Sequence, residues 1–308
     1  MKILITGGAG FIGSHVADLL IENKFEVSVV DNLSTGKLEN INPKARFYEC
    51  DIRDSELFKI LETEKPQIVI HNAAQLSVRN SVDDPVNDAN INIIGGLNLL
   101  EACRKLKVKK VIFASSGGVV YGEQQYFPAD ENHPTKPISP YGVAKLSFEK
   151  YLYYYNYTFG MNYICLRYAN IYGPRQDPFG EAGVVAIFSK KLLNNEQPVI
   201  NGDGKQTRDY VFVKDVAVAN LLAVKKDFIG EINIGTGKET DVNNLFDILK
   251  KSAGKKDLKE IHAPAKEGEQ LRSVLSYKKA KEILGWSPKM ELKIGLAKTF
   301  EWFKEFSK

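Results

Sequence analysis

The stretch "ITGGAGFIGSH", residues 5–15, constrains the fold more than any other part of the chain. It follows the β-branched run "KILIT" and opens "FIGSHVADLLIENK", whose apolar positions recur at helical spacing. Glycines at 7, 10 and 13 allow a tight turn and a close approach of the backbone to a ligand. The helix N-terminus that follows offers free N–H groups and a positive dipole end to a pyrophosphate. Glycine turns without ligands are common, so three glycines inform only in context: a strand before, a helix after, and an acid at the end of the next strand. All three conditions hold, because "EVSVVD" ends on Asp31, 18 positions after Gly13.

A carboxylate at that place accepts hydrogen bonds from an adenosine ribose and repels a 2′-phosphate, which favours NAD over NADP. The competing reading of Asp31 is a turn cap shared with Asn32. "CDIRD", at the end of a third strand, sets Asp51 and Ile52 where an adenine can sit.

The same rhythm continues in "RFYECD", "QIVIHNAA", "KVIFASS" and "YICLRYANIYG", with helical patterns between them. Alternation of this kind predicts an α/β fold, a doubly wound parallel sheet of Rossmann type. Near-continuous apolar strands fit a sheet covered on both faces. The rhythm changes after "YGPRQDPFGEAG", residues 172–183. Residues 1–172 are therefore read as the NAD-binding domain, and 173–308 as mainly a smaller, mixed α/β substrate lobe, parts of which return to the sheet. A helix is expected from Val242, capped near Asp241.

"ISPYGVAK" raises the chemical question. Ser139 and Pro140 read as N-cap and first helical residue. Tyr141 and Lys145, four apart, then share a face in the first turns, at the sheet's carboxyl edge where doubly wound folds bind ligands. A free phenol has a pKa of about 10. A nearby ammonium and an oxidised nicotinamide both favour the phenolate and bring it towards neutrality. The bland alternative is a packed tyrosine and a solvated lysine. Tyr151 and Tyr153 to Tyr155 lack such a partner and read as packing or subunit contact.

Composition excludes other classes. Hydrophobic content of 44% and charged content of 26% are those of a soluble globular protein, and the net charge of +4 is spread along the chain rather than gathered as a nucleic-acid footprint. No apolar run reaches the roughly 18 residues of a membrane span. Cys50, Cys103 and Cys165 have no framework spacing and read as free thiols in a reducing cytoplasm. The four histidines make no metal-ligand pattern, so no metal is expected.

"TGGAGFIGSH", "DNLSTG", "DIRD", "HNAA", "SSGGVVYGE", "PISPYGVAK", "LRYANIYGPRQ" and "RDYVFVKDV" together resemble the extended short-chain dehydrogenase/reductase family. Within it the chain is most similar to the NAD-dependent nucleotide-sugar epimerases of the UDP-glucose 4-epimerase type. The likeness runs from residue 1 to about 289. It implies a homodimer with tightly bound NAD, acting on UDP-hexoses through a transient 4-keto sugar. Tyr141 would take the proton of the sugar 4-hydroxyl, and Lys145 would hold the nicotinamide ribose and lower the tyrosine pKa. Further cofactor contacts carried over by position are Gly7, Gly10, Phe11, Ile12, Gly13, Asp31, Asn32, Asp51, Ile52, Ala73, Ala74, Gln75, Asn92, Ser115, Tyr168 and Ala169. For the substrate, Asn170 and Arg208 match an asparagine and a diphosphate-binding arginine of the family. The alternative for Arg208 is an ion pair with Asp209.

Three departures from the family pattern follow. The Ser or Thr four residues before Tyr121 is Gly117 here, so the hydroxyl for the sugar O4 falls to Ser116 or to water. The family's Arg-x-Gly-Asp reads Lys266-Glu267-Gly268-Glu269, which shifts the diphosphate towards Arg208 and Arg272. Ser273 stands where a tyrosine narrows the pocket, so UDP-GlcNAc and UDP-GalNAc are expected to enter as well as UDP-glucose and UDP-galactose. Three rivals remain. A 4,6-dehydratase or decarboxylase wants carboxylates where this chain has Gly118 and Val119. A UDP-glucuronate 4-epimerase needs only a different pocket. A non-catalytic NAD-binding module would be expected to lack Tyr141 or Lys145.

Overall fold

A computed structural model describes residues 1–179, 183–255, 257–265 and 270–306. β1 (Lys2–Thr6) leads through α1 (Phe11–Glu22) to β2 (Glu26–Asp31) and β3 (Arg46–Glu49), and α2 (Glu56–Glu64) leads to β4 (Ile68–His71). Then α3 (Val78–Asp83), α4 (Pro85–Ala89), a π turn over Asn90–Gly95 and α5 (Gly96–Lys105) cross to β5 (Lys110–Ser116). The short α6 (Gly117–Val120) and the long α7 (Pro140–Phe159) precede β6 (Asn162–Tyr168). Next come β7 (Asn170–Tyr172), α8 (Val184–Leu193), β8 (Val199–Asn201), β9 (Thr207–Arg208), β10 (Tyr210–Phe212), α9 (Val213–Lys225) and β11 (Gly230–Ile234). The chain closes with β12 (Thr240–Asp241), α10 (Val242–Ser252), β13 (Ile261–Ala263), β14 (Arg272–Ser273), α11 (Lys278–Leu284) and α12 (Leu292–Phe306).

Seven strands form one parallel sheet in the order β11-β6-β5-β4-β1-β2-β3. Side chains alternate between its faces, both of which are covered, which explains why its central strands β1 and β4 are almost wholly apolar. Ile3 and Ile5 join one core with Val16 and Leu20 of α1, Val216 of α9 and Leu284 of α11. Leu4, between them, joins the opposite core with Leu57 of α2, Leu99 of α5 and Phe148 of α7. From the neighbours β1 and β4 the chain winds outward in opposite directions, which opens a cleft at the carboxyl ends of the strands. The loops after β1, β2, β4 and β5 all end there.

The smaller part holds a third core, built from Phe188 of α8, Leu245 and Phe246 of α10, and Leu296 and Phe300 of α12. Asp241 caps α10 by accepting from the Asn244 N–H at 2.9 Å. This part is not contiguous in sequence: β11, α9 and α11 lie beyond residue 172 yet belong to the main sheet or pack on it. Two short sheets stand beside the main one, the parallel pair β10–β7 and the three-stranded β12–β9–β14. Among the described residues no helix is long and apolar enough to cross a membrane. The three cysteines are unpaired and buried.

Candidate active site

The turn after β1 requires its glycines. Gly7 has φ +70°, and a Cβ there would lie 2.5 Å from the Ala73 nitrogen. A Cβ on Gly13 would lie 2.2 Å from the Gly7 carbonyl oxygen, so only glycine lets α1 start this close to the strand. Gly10 is the N-cap of α1 and supplies no capping side chain, so the helix end keeps donors for an anion brought by a ligand. Asp31 is buried, and its two oxygens accept from the Ala9 and Leu33 N–H groups at 2.9 Å each. It thereby holds the glycine turn against the end of β2. The turn with Leu33 forms alongside this contact and does not replace it.

Asp51 accepts from Asn32 Nδ2 at 2.8 Å and from Arg53 Nε and Nη2 at 2.8 Å each. The Arg53 hydrogen bond holds its carboxyl down to about 2. Asn92 ties the loop Ala73–Ala74–Gln75 to the π turn. Its Oδ1 accepts from the Gln75 N–H at 3.0 Å, and its Nδ2 donates to the Gln75 carbonyl and to Asp88 Oδ1 at 2.9 Å each. A side-chain-free cradle, an uncapped helix end and a carboxylate at the tip of β2 fit a dinucleotide such as NAD.

Ser139 caps α7, accepting from the Gly142 N–H at 3.2 Å, with Pro140 in the first turn. Both predicted positions are correct. The main-chain N–H of Tyr141 donates to Ser81 Oγ of α3 at 3.1 Å, which binds the start of α7 to the helix before it. Lys145 is only 4% exposed. Its Nζ donates to the Ala114 carbonyl at 2.9 Å and lies 5.6 Å from the Tyr141 ring centre and 4.7 Å from that of Phe113. Burial pushes the ammonium down to about 8, opposed by the negative charges of Asp88 and Glu149.

Consecutive strand residues point to opposite faces, and Ser115 and Ser116 separate on that rule. Ser116 borders the cleft: a Cβ on Gly118 would lie 3.7 Å from Ser116 Oγ and 4.0 Å from Asn170 Oδ1, so these two polar groups flank the space a glycine leaves open. Ser115 is buried, and its hydroxyl donates to Glu149 Oε1 at 2.6 Å, inside an ion pair in which Arg167 binds Glu149 at 2.9 and 2.6 Å. Its side chain is thus turned from the cofactor cleft. The same holds for Tyr168, whose ring lies in the core and whose hydroxyl accepts from Asn220 Nδ2 at 2.8 Å. Ala169 continues the strand edge, its N–H donating to the Ile234 carbonyl at 3.0 Å.

Gly117 has a steric reason that the sequence hides. A Cβ there would lie 2.4 Å from Leu275 Cδ1, so the space a family Ser or Thr would take is filled by leucine.

On the substrate side, Arg208 of β9 lies in register with Ser273 of β14, and Ser273 is buried. The Asp209 carboxylate is turned to Thr236, Gly237 and Leu275. Arg272 binds Glu239 through Nε at 2.9 Å and Nη2 at 2.6 Å and stacks 3.6 Å over the Phe127 ring centre. That pairing takes up the bidentate fork expected for a diphosphate. Lys266 and Glu269 lie outside the described residues. Among the described residues no group of His, Cys, Asp and Glu is arranged to hold a metal ion.

The model of the NAD dependent epimerase/dehydratase family matches residues 3–235. A protein of Methanocaldococcus jannaschii is 54% identical over 303 residues, which span 98% of both chains. The UDP-glucose 4-epimerase of Thermotoga maritima, solved with UDP-glucose, is 52% identical with a TM-score of 0.98 over the whole of both chains. The UDP-glucose 4-epimerase of Thermus thermophilus, solved with NAD, is 43% identical with a TM-score of 0.94 over 99% of this chain and all of that one.

Proposed function

The chain belongs to the NAD dependent epimerase/dehydratase family, and on that footing we propose that it interconverts UDP-hexoses at C4. The observation that carries this reading is the buried Lys145 ammonium beside the Tyr141 ring, on a helix that touches the short α6, where Ser116 and Asn170 flank Gly118. Bound NAD would supply the hydride acceptor and donor that inversion at C4 of the sugar requires. The chain's own residues supply the proton chemistry and the geometry. Tyr141 as phenolate takes the proton of the 4-hydroxyl and later gives it back. Lys145 keeps a positive charge near the phenol, which favours its ionised form. Ser116 offers a hydroxyl to O4. Arg208 donates its planar fork to the diphosphate, which stays anchored while the 4-keto sugar turns.

Gly7, Gly10 and Gly13, with the N–H groups of Phe11 and Ile12, receive the pyrophosphate, and Asp31 receives the adenosine ribose. Asn32, Asp51 and Ile52 border the adenine. Ala73, Ala74, Gln75 and Asn92 form the wall on the nicotinamide side. Residues 1–172 with β11 act as the cofactor part, and the rest mainly as the substrate part. With glycine and valine at 118 and 119, elimination lacks its acid and base, so epimerisation is preferred to dehydration.

Ser273 leaves room for an N-acetyl group. Each UDP-hexose is supplied separately and the products are identified. Interconversion of UDP-glucose with UDP-galactose is expected, and of UDP-GlcNAc with UDP-GalNAc. Turnover of the simple hexoses alone rejects the wide pocket, and no epimer from any substrate rejects the function.

The protein acts as a homodimer in the cytoplasm, the reducing setting that three free, buried thiols fit. Val86 of α4, Ile94 of the π turn, and Val143, Tyr154 and Tyr157 of α7 are large apolar side chains left exposed on helices that pack together. Exposed apolar surface of this extent marks an interface. Light scattering is expected to give twice the chain mass. Tyr154→Glu should shift the protein to monomer, and a monomeric parent protein would dispose of the interface.

A further inference from the structure

Asp209 stands between Arg208 and Tyr210 and is 1% exposed. Its carboxylate meets hydrogen-bond donors from two distant segments. Oδ1 and Oδ2 each accept from the Thr236 N–H at 2.9 Å, and Oδ1 also accepts from the Thr236 hydroxyl. Oδ2 accepts further from the Gly237 and Leu275 N–H groups at 3.2 Å each. Its main-chain carbonyl accepts from the Asn170 N–H at 2.9 Å. Packing around it is close: a Cβ on Gly235 would lie 2.7 Å from Asp209 Oδ2 and 2.7 Å from Leu275 Cβ. Leu275 in turn fills the space over Gly117, next to Ser116.

One buried carboxylate therefore joins the strand that carries Arg208, the loop after β11, and the segment after Ser273. We propose that Asp209 is a positioning residue for substrate recognition: it fixes Arg208 and Asn170 relative to the Ser116 end of β5, so that diphosphate and hexose are gripped in register. This rests on the UDP-hexose reading above. The physical reason is that a buried acceptor meeting several donors tolerates little displacement, because each donor left unpaired would stay desolvated. A neutral amide cannot replace it. Asparagine at 209 would turn an N–H₂ group towards donors on one side and leave at least one of them unmet.

The test uses the NAD-loaded protein. Asp209→Asn should raise KM for UDP-galactose about tenfold, the scale of one lost charge-assisted hydrogen bond, with a smaller change in kcat and unchanged NAD content. Calorimetric titration with UDP alone should show a similar weakening. Thr236→Val, which removes only the hydroxyl donor, should shift KM and UDP affinity the same way by a smaller factor, and Thr236→Ser should restore both. A folded Asp209→Asn with KM and UDP affinity within twofold of the parent protein overturns the proposal. If Asp209→Asn does not fold, unchanged values in Thr236→Val overturn it. A parent protein that binds UDP but epimerises nothing defeats the function reading. The UDP titrations of the variants then still decide the role of Asp209.

Discussion

Tyr141→Phe lowers turnover of UDP-galactose by at least about a hundredfold, the usual scale for a lost general acid–base group, while the fold and the bound NAD persist. The selectivity of the effect follows from how the residue is attached. The contact that holds position 141 to α3 uses its main-chain N–H and Ser81 Oγ, and a phenylalanine keeps it. The ring keeps its place beside Lys145, so only the proton-carrying oxygen is lost. Rates, NAD content by absorbance, and thermal unfolding are compared with the parent protein. Turnover within a few-fold of the parent would remove Tyr141 from the chemistry and with it the reading of this cleft as an epimerase site.

Lys145→Met is expected to do two opposite things. Turnover falls by about a hundredfold or more, because the phenol loses the cation that favours its ionised form. Stability rises at neutral pH. The folded-state pKa of Lys145 is pushed down to about 8 from the ordinary 10.5, chiefly by burial, so the charged lysine opposes folding. Between about pH 8 and 10.5 the unfolded chain binds a proton that the folded chain does not, so stability of the parent protein climbs with pH through that window. Below it the cost is fully present.

Removing the charge gains roughly 3 kcal/mol at most at 1.36 kcal/mol per unit, less about 1 kcal/mol for the lost bond to the Ala114 carbonyl. Thermal unfolding at matched NAD content should show a rise of a few degrees at pH 7, shrinking towards pH 10.5. The activity of the parent protein should fall on the alkaline side with a midpoint near 8. A variant less stable than the parent at pH 7, together with an alkaline limb far from 8, would mean that Lys145 is not the buried cation of the site.

Much of this was legible in local pattern because the physics is local. Three glycines, an apolar helical stripe and Asp31 at a strand end state their own geometry within thirty residues. Ser139 and Asp241 cap their helices because a short polar side chain before an amphipathic run has one good use. The Tyr141–Lys145 spacing reads directly as one helix face.

For other residues the local pattern runs out, because family position says nothing of side-chain direction. Ser115 and Tyr168 sit beside the cleft in sequence, yet their hydroxyls bond inward to Glu149 and Asn220. Strand alternation marks Ser115 once the strand is known, whereas the pairing of Tyr168 with Asn220 spans 52 residues and has no local signal. Arg272 looks like a free diphosphate ligand in sequence. Its fork is bound to Glu239, 33 residues away.

By itself, then, the sequence determined the parallel sheet, the turn for a dinucleotide, and the phenol and ammonium on one helix. Each of those rests on spacing along the backbone, and periodicity and side-chain type suffice to read spacing. Only the tertiary structure decided which serine faces the cleft, why glycine replaces a hydroxyl at 117, and that one carboxylate at 209 joins three distant segments. Those outcomes depend on which side chains fill a shared space, and Leu275 comes to rest over Gly117 only after the chain has closed across more than 150 intervening residues.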